Sequence, residues 1–190
     1  MMKNTMCTES VSRNKERQIK YKTFAVAFSY PDDKFFDLFP DLKKEKDKLS
    51  AEYDRLFRSK EVWLYTTEYL AKHEFQKSNF MADIMGFYRA FGVEPNKERP
   101  DAISAELEFM HYLIFKTSHA EENLKGKDAK EKAAISFDAQ KKFFNEHLFV
   151  GAKKIVEKIL IFTKDGFYAS VAQDLLDFLK EEKRFLGGRE

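Results

Sequence analysis

Glycine and proline are scarce in this sequence, which has 7 and 4 of them among 190 residues. Their combined share is about half of the roughly 12% that is usual in proteins. Tight turns between strands depend on glycine and proline, whereas a long helix excludes both from its interior. The scarcity therefore favours long helices over a sheet-based architecture.

Apolar residues recur three and four positions apart along most of the chain, the spacing that puts side chains on one face of an α-helix. Phe80, Ile84, Phe87 and Phe91 follow this pattern and precede Gly92, a residue suited to a helix C-terminus. The patterns predict a short helix after Asp32 and longer helices over about residues 13–29, 41–57, 78–91, 101–123, 131–146, 148–162 and 167–183.

We expect an all-α fold: a single globular multi-helix domain with seven to nine helices. The length fits one domain. The domain is expected to cover residues 13–184, between flexible tails at residues 1–12 and 185–190. The 20 phenylalanines predict either a bulky core or a surface that meets an apolar partner.

Charge and composition argue against several kinds of protein. The 34 basic and 32 acidic residues leave a net charge of +2, too small to suggest the basic face of a nucleic-acid-binding protein. The longest apolar run, residues 159–162, is far shorter than the roughly 18 residues of a membrane span. Cys7 is the only cysteine, and residues 1–20 lack the apolar centre of a secretory signal, so we expect a cytoplasmic protein.

No residue pattern in the sequence predicts a catalytic site. Glycine-rich phosphate-binding motifs and nucleophile elbows are absent. Glu108 and His111 have the Glu-x-x-His spacing of a di-iron bundle, but that architecture needs a second such motif and the sequence has none. The main interpretation is a binding protein without a metal or cofactor. A helical metal-binding protein or enzyme using Glu108 and His111 is the alternative, and a generic helical scaffold is a third interpretation.

Two segments place aromatic and acidic residues at helix ends and in predicted loops. The first combines Tyr53, Leu56 and Phe57 with residues 63–69, and the second is residues 98–102. Ordinary core packing is the competing explanation of the first segment. A helix start, with proline fixing the backbone and aspartate capping, is the competing explanation of the second. Neither explanation excludes a bound ligand.

These segments resemble motifs of the TorD/DmsD/NarJ family of redox enzyme maturation chaperones. Tyr53-x-x-Leu56-Phe57 is similar to the family's aromatic-x-x-Leu-Phe motif. Residues 98–102 resemble its Glu-x-x-Asp-His motif, with Ala102 where the family usually has histidine. Further similar stretches are residues 27–31, 64–69, 81–93, 106–110 and 144–148.

The resemblance extends over about residues 15–180 and implies a TorD-like fold and a cytosolic chaperone function. Family members bind the twin-arginine leader peptide and the apo-form of a molybdoenzyme catalytic subunit, and they hold that subunit while its cofactor is inserted. The implied partners are such a subunit and its leader, without nucleic acid or stable membrane insertion. The implied state is a monomer or a domain-swapped dimer. A role of the family histidine does not carry over to Ala102.

A twin-arginine leader requires carboxylates beside an apolar groove, because guanidinium groups form bidentate bonds with carboxylates and the leader continues as an apolar stretch. Following the resemblance, the expected client-binding residues are three acidic side chains, six apolar or aromatic side chains and a proline. They are Glu68, Glu98, Asp101, Tyr53, Leu56, Phe57, Trp63, Tyr65, Tyr69 and Pro100.

Overall fold

A computed structural model describes residues 2–59, 61–95, 98–123 and 126–187, without the side chains of residues 2–11. Its helices are α1 (Met2–Ala27), α2 (Asp33–Leu38), α3 (Lys46–Tyr53), α4 (Thr67–Leu70), α5 (Glu74–Ala90), α6 (Ile103–Asn123), α7 (Lys127–Phe143), α8 (Phe149–Phe162) and α9 (Phe167–Leu186). A 3₁₀ turn, Pro40–Glu45, precedes α3, and π turns follow α3 (Asp54–Arg58) and α7 (Phe144–Leu148). The predicted all-α fold is confirmed, since the described residues contain no strand beyond one isolated bridge.

Several helix boundaries differ from the predicted ones. Helix α5 begins at residue 74 instead of 78, α6 at 103 instead of 101, and α7 at 127 instead of 131. The end of α5 agrees with the sequence, because Gly92 has a φ of 71°, the left-handed conformation of a helix-ending glycine.

The first and last helices extend past the predicted domain limits. Helix α1 begins at residue 2 and α9 ends at residue 186, beyond the expected limits at 13 and 184. Flexibility of the two tails stays a prediction. Residues 1 and 188–190 lie outside the described part of the chain.

Helix α6 runs through the centre of the core. It packs against α1 on one side and α7 on the other, while α8 packs against α9. Its Phe109 ring lies 4.7 Å from the Tyr88 ring of α5 and 4.8 Å from the Phe143 ring of α7, edge to face in both cases. Such pairs stabilise by about 0.5–1.5 kcal/mol beyond the burial of their area. Much of the phenylalanine excess is therefore used inside the molecule.

A buried polar network joins α1, α7 and α9. Arg17 donates from Nε and Nη2 to the two carboxylate oxygens of Glu182 at 2.7 and 2.8 Å, and from Nη2 to Gln140 at 3.0 Å. Tyr21 donates its hydroxyl to Glu182 at 2.8 Å. These contacts satisfy the charges that the helices bury, as an interior ion pair requires.

Helix length and composition also bear on membrane insertion. Within the described ranges, no helix is both long enough and apolar enough to cross a bilayer.

Candidate functional site

The two segments that the sequence analysis singled out lie side by side. Tyr65 and Ala102 form an antiparallel bridge. The backbone N–H groups of Thr66 and Ile103 donate across it at 2.9 and 2.8 Å. This contact holds the loop before α4 against the loop before α6, and so brings their acidic side chains together.

Arg99 lies where these loops meet. Its Nε and Nη2 donate to the two carboxylate oxygens of Asp101 at 2.9 and 2.7 Å, and Nη1 donates to Glu68 at 3.2 Å. The guanidinium also covers the Tyr65 ring at 4.1 Å. We call Tyr65, Glu68, Arg99 and Asp101 the arginine corner. Partial burial lowers the pKa of Arg99, but its bonds with Asp101 and Glu68 outweigh this and raise it above the ordinary value.

Asp101 is the innermost member of the arginine corner. It is fully buried and also accepts a hydrogen bond from the Thr67 hydroxyl. The sequence predicted that Asp101 caps the start of α6. Helix α6 instead begins two residues later, at Ile103, and the Asp101 carboxylate bonds Arg99 and Thr67. A carboxylate without solvent needs a cationic partner, and here that partner is a guanidinium.

Glu68 is shared between two cations. Besides Arg99, it accepts from Lys77 of α5 at 2.6 Å. Its side chain is 22% exposed, against 34% for Arg99. The two carboxylates of the arginine corner thus face two cations, and the Glu68–Arg99 side borders solvent.

Close approach of α8 fixes the loop before α4. A β-carbon on Gly151 would lie 2.5 Å from the Thr66 Cβ, so only glycine fits without displacement. The Thr66 hydroxyl donates to Glu106 of α6, which is fully buried. Burial raises the pKa of Glu106 well above its ordinary value, against the hydrogen bond from Thr66.

The first aromatic segment belongs mainly to the core. Leu56 is fully buried and Phe57 nearly so, while Tyr53 is half-buried with its ring 4.9 Å from that of Phe57. Burial raises the pKa of Tyr53 to about 12, against the charge of Arg58 and with a contribution from the nearby charge of Glu98. Leu56 and Phe57 therefore lie in the core and do not line an open groove.

The remaining predicted residues are half-buried around the corner. The Trp63 backbone N–H donates to the Tyr69 hydroxyl at 3.1 Å. The Trp63 ring lies 6.4 Å from that of Tyr65. Pro100 accepts from the Tyr88 hydroxyl at 2.8 Å, which fastens the loop to α5.

Glu98 is exposed next to these rings. Burial raises the pKa of Tyr65, and the charge of Glu98 is the next cause of that rise. The same charge acts on Tyr53. Glu98 therefore lies within electrostatic reach of both rings and is exposed to solvent.

Sequence reasoning missed four participants in this site: Arg99, Lys77, Thr67 and Glu106. Arg99 lies within residues 98–102, the second segment, but nothing in the sequence indicated that it bonds Asp101 and Glu68. The others are brought in from α4, α5 and α6 by packing. No local pattern marks them as partners of Asp101 or Glu68.

The alternative metal site at Glu108 and His111 receives no support from the geometry. Lys22 donates to Glu108 at 2.7 Å, and His111 Nδ1 lies 3.0 Å from the Gln18 carbonyl oxygen. Among the residues that the structure describes, no third potential metal ligand joins these two.

The family model described as nitrate reductase delta subunit matches residues 34–152. This range runs from α2 into α8 and includes the whole arginine corner. The chain belongs to the nitrate reductase delta subunit family. The match confirms the resemblance to TorD/DmsD/NarJ proteins that the motifs predicted.

Two curated relatives of this protein carry the name chaperone protein TorD. The one from Vibrio atlanticus is 31% identical over 108 residues, which are 57% of this chain and 47% of the relative. The one from Vibrio parahaemolyticus is 26% identical over 147 residues, 74% of this chain and 65% of the relative. The chain spans about half to two thirds of the length of these relatives.

Proposed function

We propose that this protein is a maturation chaperone for a molybdoenzyme. In this role it binds the apo-form of the catalytic subunit and its leader peptide in the cytoplasm and assists cofactor insertion before assembly or export. It does no chemistry of its own and acts as a monomer or a domain-swapped dimer. The family match and the names of the curated relatives support the proposal.

The arginine corner is the observation that carries the proposal. It already binds a guanidinium group, that of Arg99. The buried Asp101 carboxylate pairs with two of its nitrogens, Glu68 accepts from the third, and the Tyr65 ring covers it. These are the contacts by which proteins select arginine over lysine. Its two carboxylates therefore match the guanidinium groups of a twin-arginine leader.

Arg99 occupies this site as an internal ligand. A leader arginine that replaces it would make the same bonds to Asp101 and Glu68, so the buried carboxylate would stay paired during the exchange. Arg99 is partly exposed, and in this proposal its side chain moves toward solvent when the leader binds. Glu98, next to Tyr65, is available to the second leader arginine, and the rings of Trp63, Tyr65 and Tyr69 can meet the apolar continuation.

Two synthetic peptides test this exchange: one with Arg-Arg before an apolar stretch, and one with Lys-Lys at the same place. Calorimetric titration should show the Arg-Arg peptide binding more tightly. Glu68→Gln should weaken its binding about tenfold, the lower end for a hydrogen bond to a charged group because Glu68 is partly exposed. Glu181→Gln, an exposed carboxylate of α9 paired with Lys20, is the matched control and should bind as the wild type does.

Arg99→Ala provides a second readout. This variant should melt at a lower temperature, since Asp101 is left buried without a cation. The Arg-Arg peptide should then raise its melting temperature more than that of the wild type, because leader binding restores the missing pair. Equal binding of the two peptides, or equal peptide effects on both proteins, would count against the corner as the leader site.

A further inference from the structure

A second group of ionisable side chains meets near the middle of α5. Asp83 of α5 faces Glu146 and His147 of the π turn that follows α7. One ligand atom from each of the three lies within 4.8 Å of the others. These residues are separate from the arginine corner, and no part of the proposed chaperone function uses them.

His147 is the unusual member of this group. Its side chain is 1% exposed, and its ring lies 5.5 Å from the rings of both Phe87 and Phe143. Nε2 lies 3.1 Å from Asp83 Oδ2, an ion-pair distance, although the contact lacks hydrogen-bond geometry, and Nδ1 has no hydrogen-bond partner among the described residues. A buried polar ring without hydrogen-bond geometry needs a physical explanation, and a coordinated ion is one.

The distances suit a small divalent cation. Zinc binds histidine nitrogen and carboxylate oxygen at about 2.0–2.2 Å, so two ligands of a tetrahedral zinc site are about 3.3–3.6 Å apart. The 3.1 Å between His147 Nε2 and Asp83 Oδ2 is close to that separation. Asp83 and Glu146 are exposed, so both carboxylates can turn onto an ion without disturbing the core.

The π turn explains why adjacent residues can serve one site. A π turn adds one residue to a helical turn and occurs often at functional sites. Here it turns His147 into the aromatic core while Glu146 stays at the surface. The histidine is thus fixed by packing, and the two carboxylates flank it from α5 and from the turn.

We propose that Asp83, Glu146 and His147 bind a divalent transition-metal ion, with Zn²⁺ as the ion their donor atoms favour. Two carboxylates balance the charge of the ion, and the imidazole supplies the nitrogen that distinguishes such a site from one for Mg²⁺ or Ca²⁺. Three protein ligands leave a fourth position for water or an outside donor. The ion ties α5 to the junction of α7 and α8.

Zinc titration of the full chain tests the proposal. Cys7→Ser serves as the background, because a thiol is itself a zinc ligand. Competition with a chromophoric chelator should show one equivalent of Zn²⁺ bound, without comparable binding of Mg²⁺. Asp83→Asn and Glu146→Gln should each weaken binding at least about tenfold, since loss of residues that merely orient a ligand commonly costs 10- to 100-fold. Asp174→Asn, an exposed aspartate of α9, should leave the affinity unchanged.

Thermal melting gives an independent readout. Zn²⁺ should raise the melting temperature of the background protein and of Asp174→Asn, because it binds only the folded arrangement. It should raise that of Asp83→Asn and Glu146→Gln much less. Both variants change exposed side chains, so neither threatens folding. Absence of a stoichiometric zinc equivalent, or binding that survives in both variants, would overturn the proposal.

Discussion

Glu106 shows what one buried residue does to the response of the protein to pH. In the folded protein its Oε1 accepts from Thr66, whereas Oε2 has no partner among the described residues. Burial raises its pKa well above 4.5. The carboxyl is therefore favoured in its protonated form inside the fold.

The sign of the pH effect follows from this raised pKa. The contribution of Glu106 to stability is complete below its unfolded pKa and is lost as the pH rises through its folded pKa. Glu106→Gln resembles the protonated acid and should not show that loss. Its melting temperature should therefore improve relative to wild type as the pH is raised. Glu108→Gln, an exposed position paired with Lys22, is the control, and parallel pH curves for Glu106→Gln and wild type would contradict the prediction.

At the same scale, the sequence identified Glu68 and Asp101 as carboxylates suited to an arginine. The structure shows the two carboxylates meeting at a guanidinium, but the guanidinium belongs to Arg99. The type of chemistry could be predicted because acidic residues select basic partners. The occupant could not be predicted, because only packing brings Glu68 of α4 next to Arg99.

At the scale of elements, Gly151 sets the distance between α8 and the loop before α4. A β-carbon there would lie 2.5 Å from Thr66 Cβ and 3.0 Å from Thr66 Cα. Gly151→Ala should therefore destabilise the protein by about 1–3 kcal/mol, the usual range for overpacking. Urea unfolding measures the change.

Gly86 of α5 is the matched control for that substitution. It is exposed, and a β-carbon there meets nothing within 4 Å. Gly86→Ala should stabilise the protein by about 0.5–1 kcal/mol, because alanine is the better helix former. A stabilising effect of both substitutions would show that α8 can shift away from Thr66 without penalty.

The helices themselves were largely predictable from the sequence, and their ends were less so. Apolar spacing and Gly92 identified α5 and its C-terminus, because both are local signals. The predicted start of α6 was wrong. Aspartate is a residue type that commonly caps helices, yet the Asp101 carboxylate bonds Arg99 and Thr67. The neighbouring Arg99 and the distant Thr67 together engage the carboxylate that the local rule assigned to a helix cap.

At the scale of the whole molecule, the Arg17–Glu182 pair joins residues that lie 165 positions apart. Their side chains are 5% and 3% exposed. Glu182→Gln should destabilise the protein by about 3 kcal/mol, because it leaves a buried guanidinium without its counter-charge. The double variant Arg17→Met/Glu182→Leu should lose less unfolding free energy than the sum of the losses of Arg17→Met and Glu182→Leu. Urea unfolding of these three variants and the wild type can measure the difference.

The neighbouring Lys20–Glu181 pair provides the comparison. Its side chains are 50% and 56% exposed, so removing either charge should change stability by no more than about 1 kcal/mol. Similar losses at the buried and exposed pairs would mean that the buried network does not hold α1 and α9 together.

The sequence by itself determined the all-helical fold, the approximate positions of the long helices, the family and two of the carboxylates that meet at the arginine corner. The fold and the helix positions follow from spacing and composition, which act between residues a few positions apart, whereas the family and the carboxylates were implied by resemblance to family motifs. The tertiary structure alone decided that Arg99 fills the corner, that Leu56 and Phe57 lie in the core, and that His147 meets Asp83. Arg99 and Asp101 are two positions apart, but Arg99 and Glu68, like Asp83 and His147, lie far apart in the chain, so these contacts depend on how the helices pack.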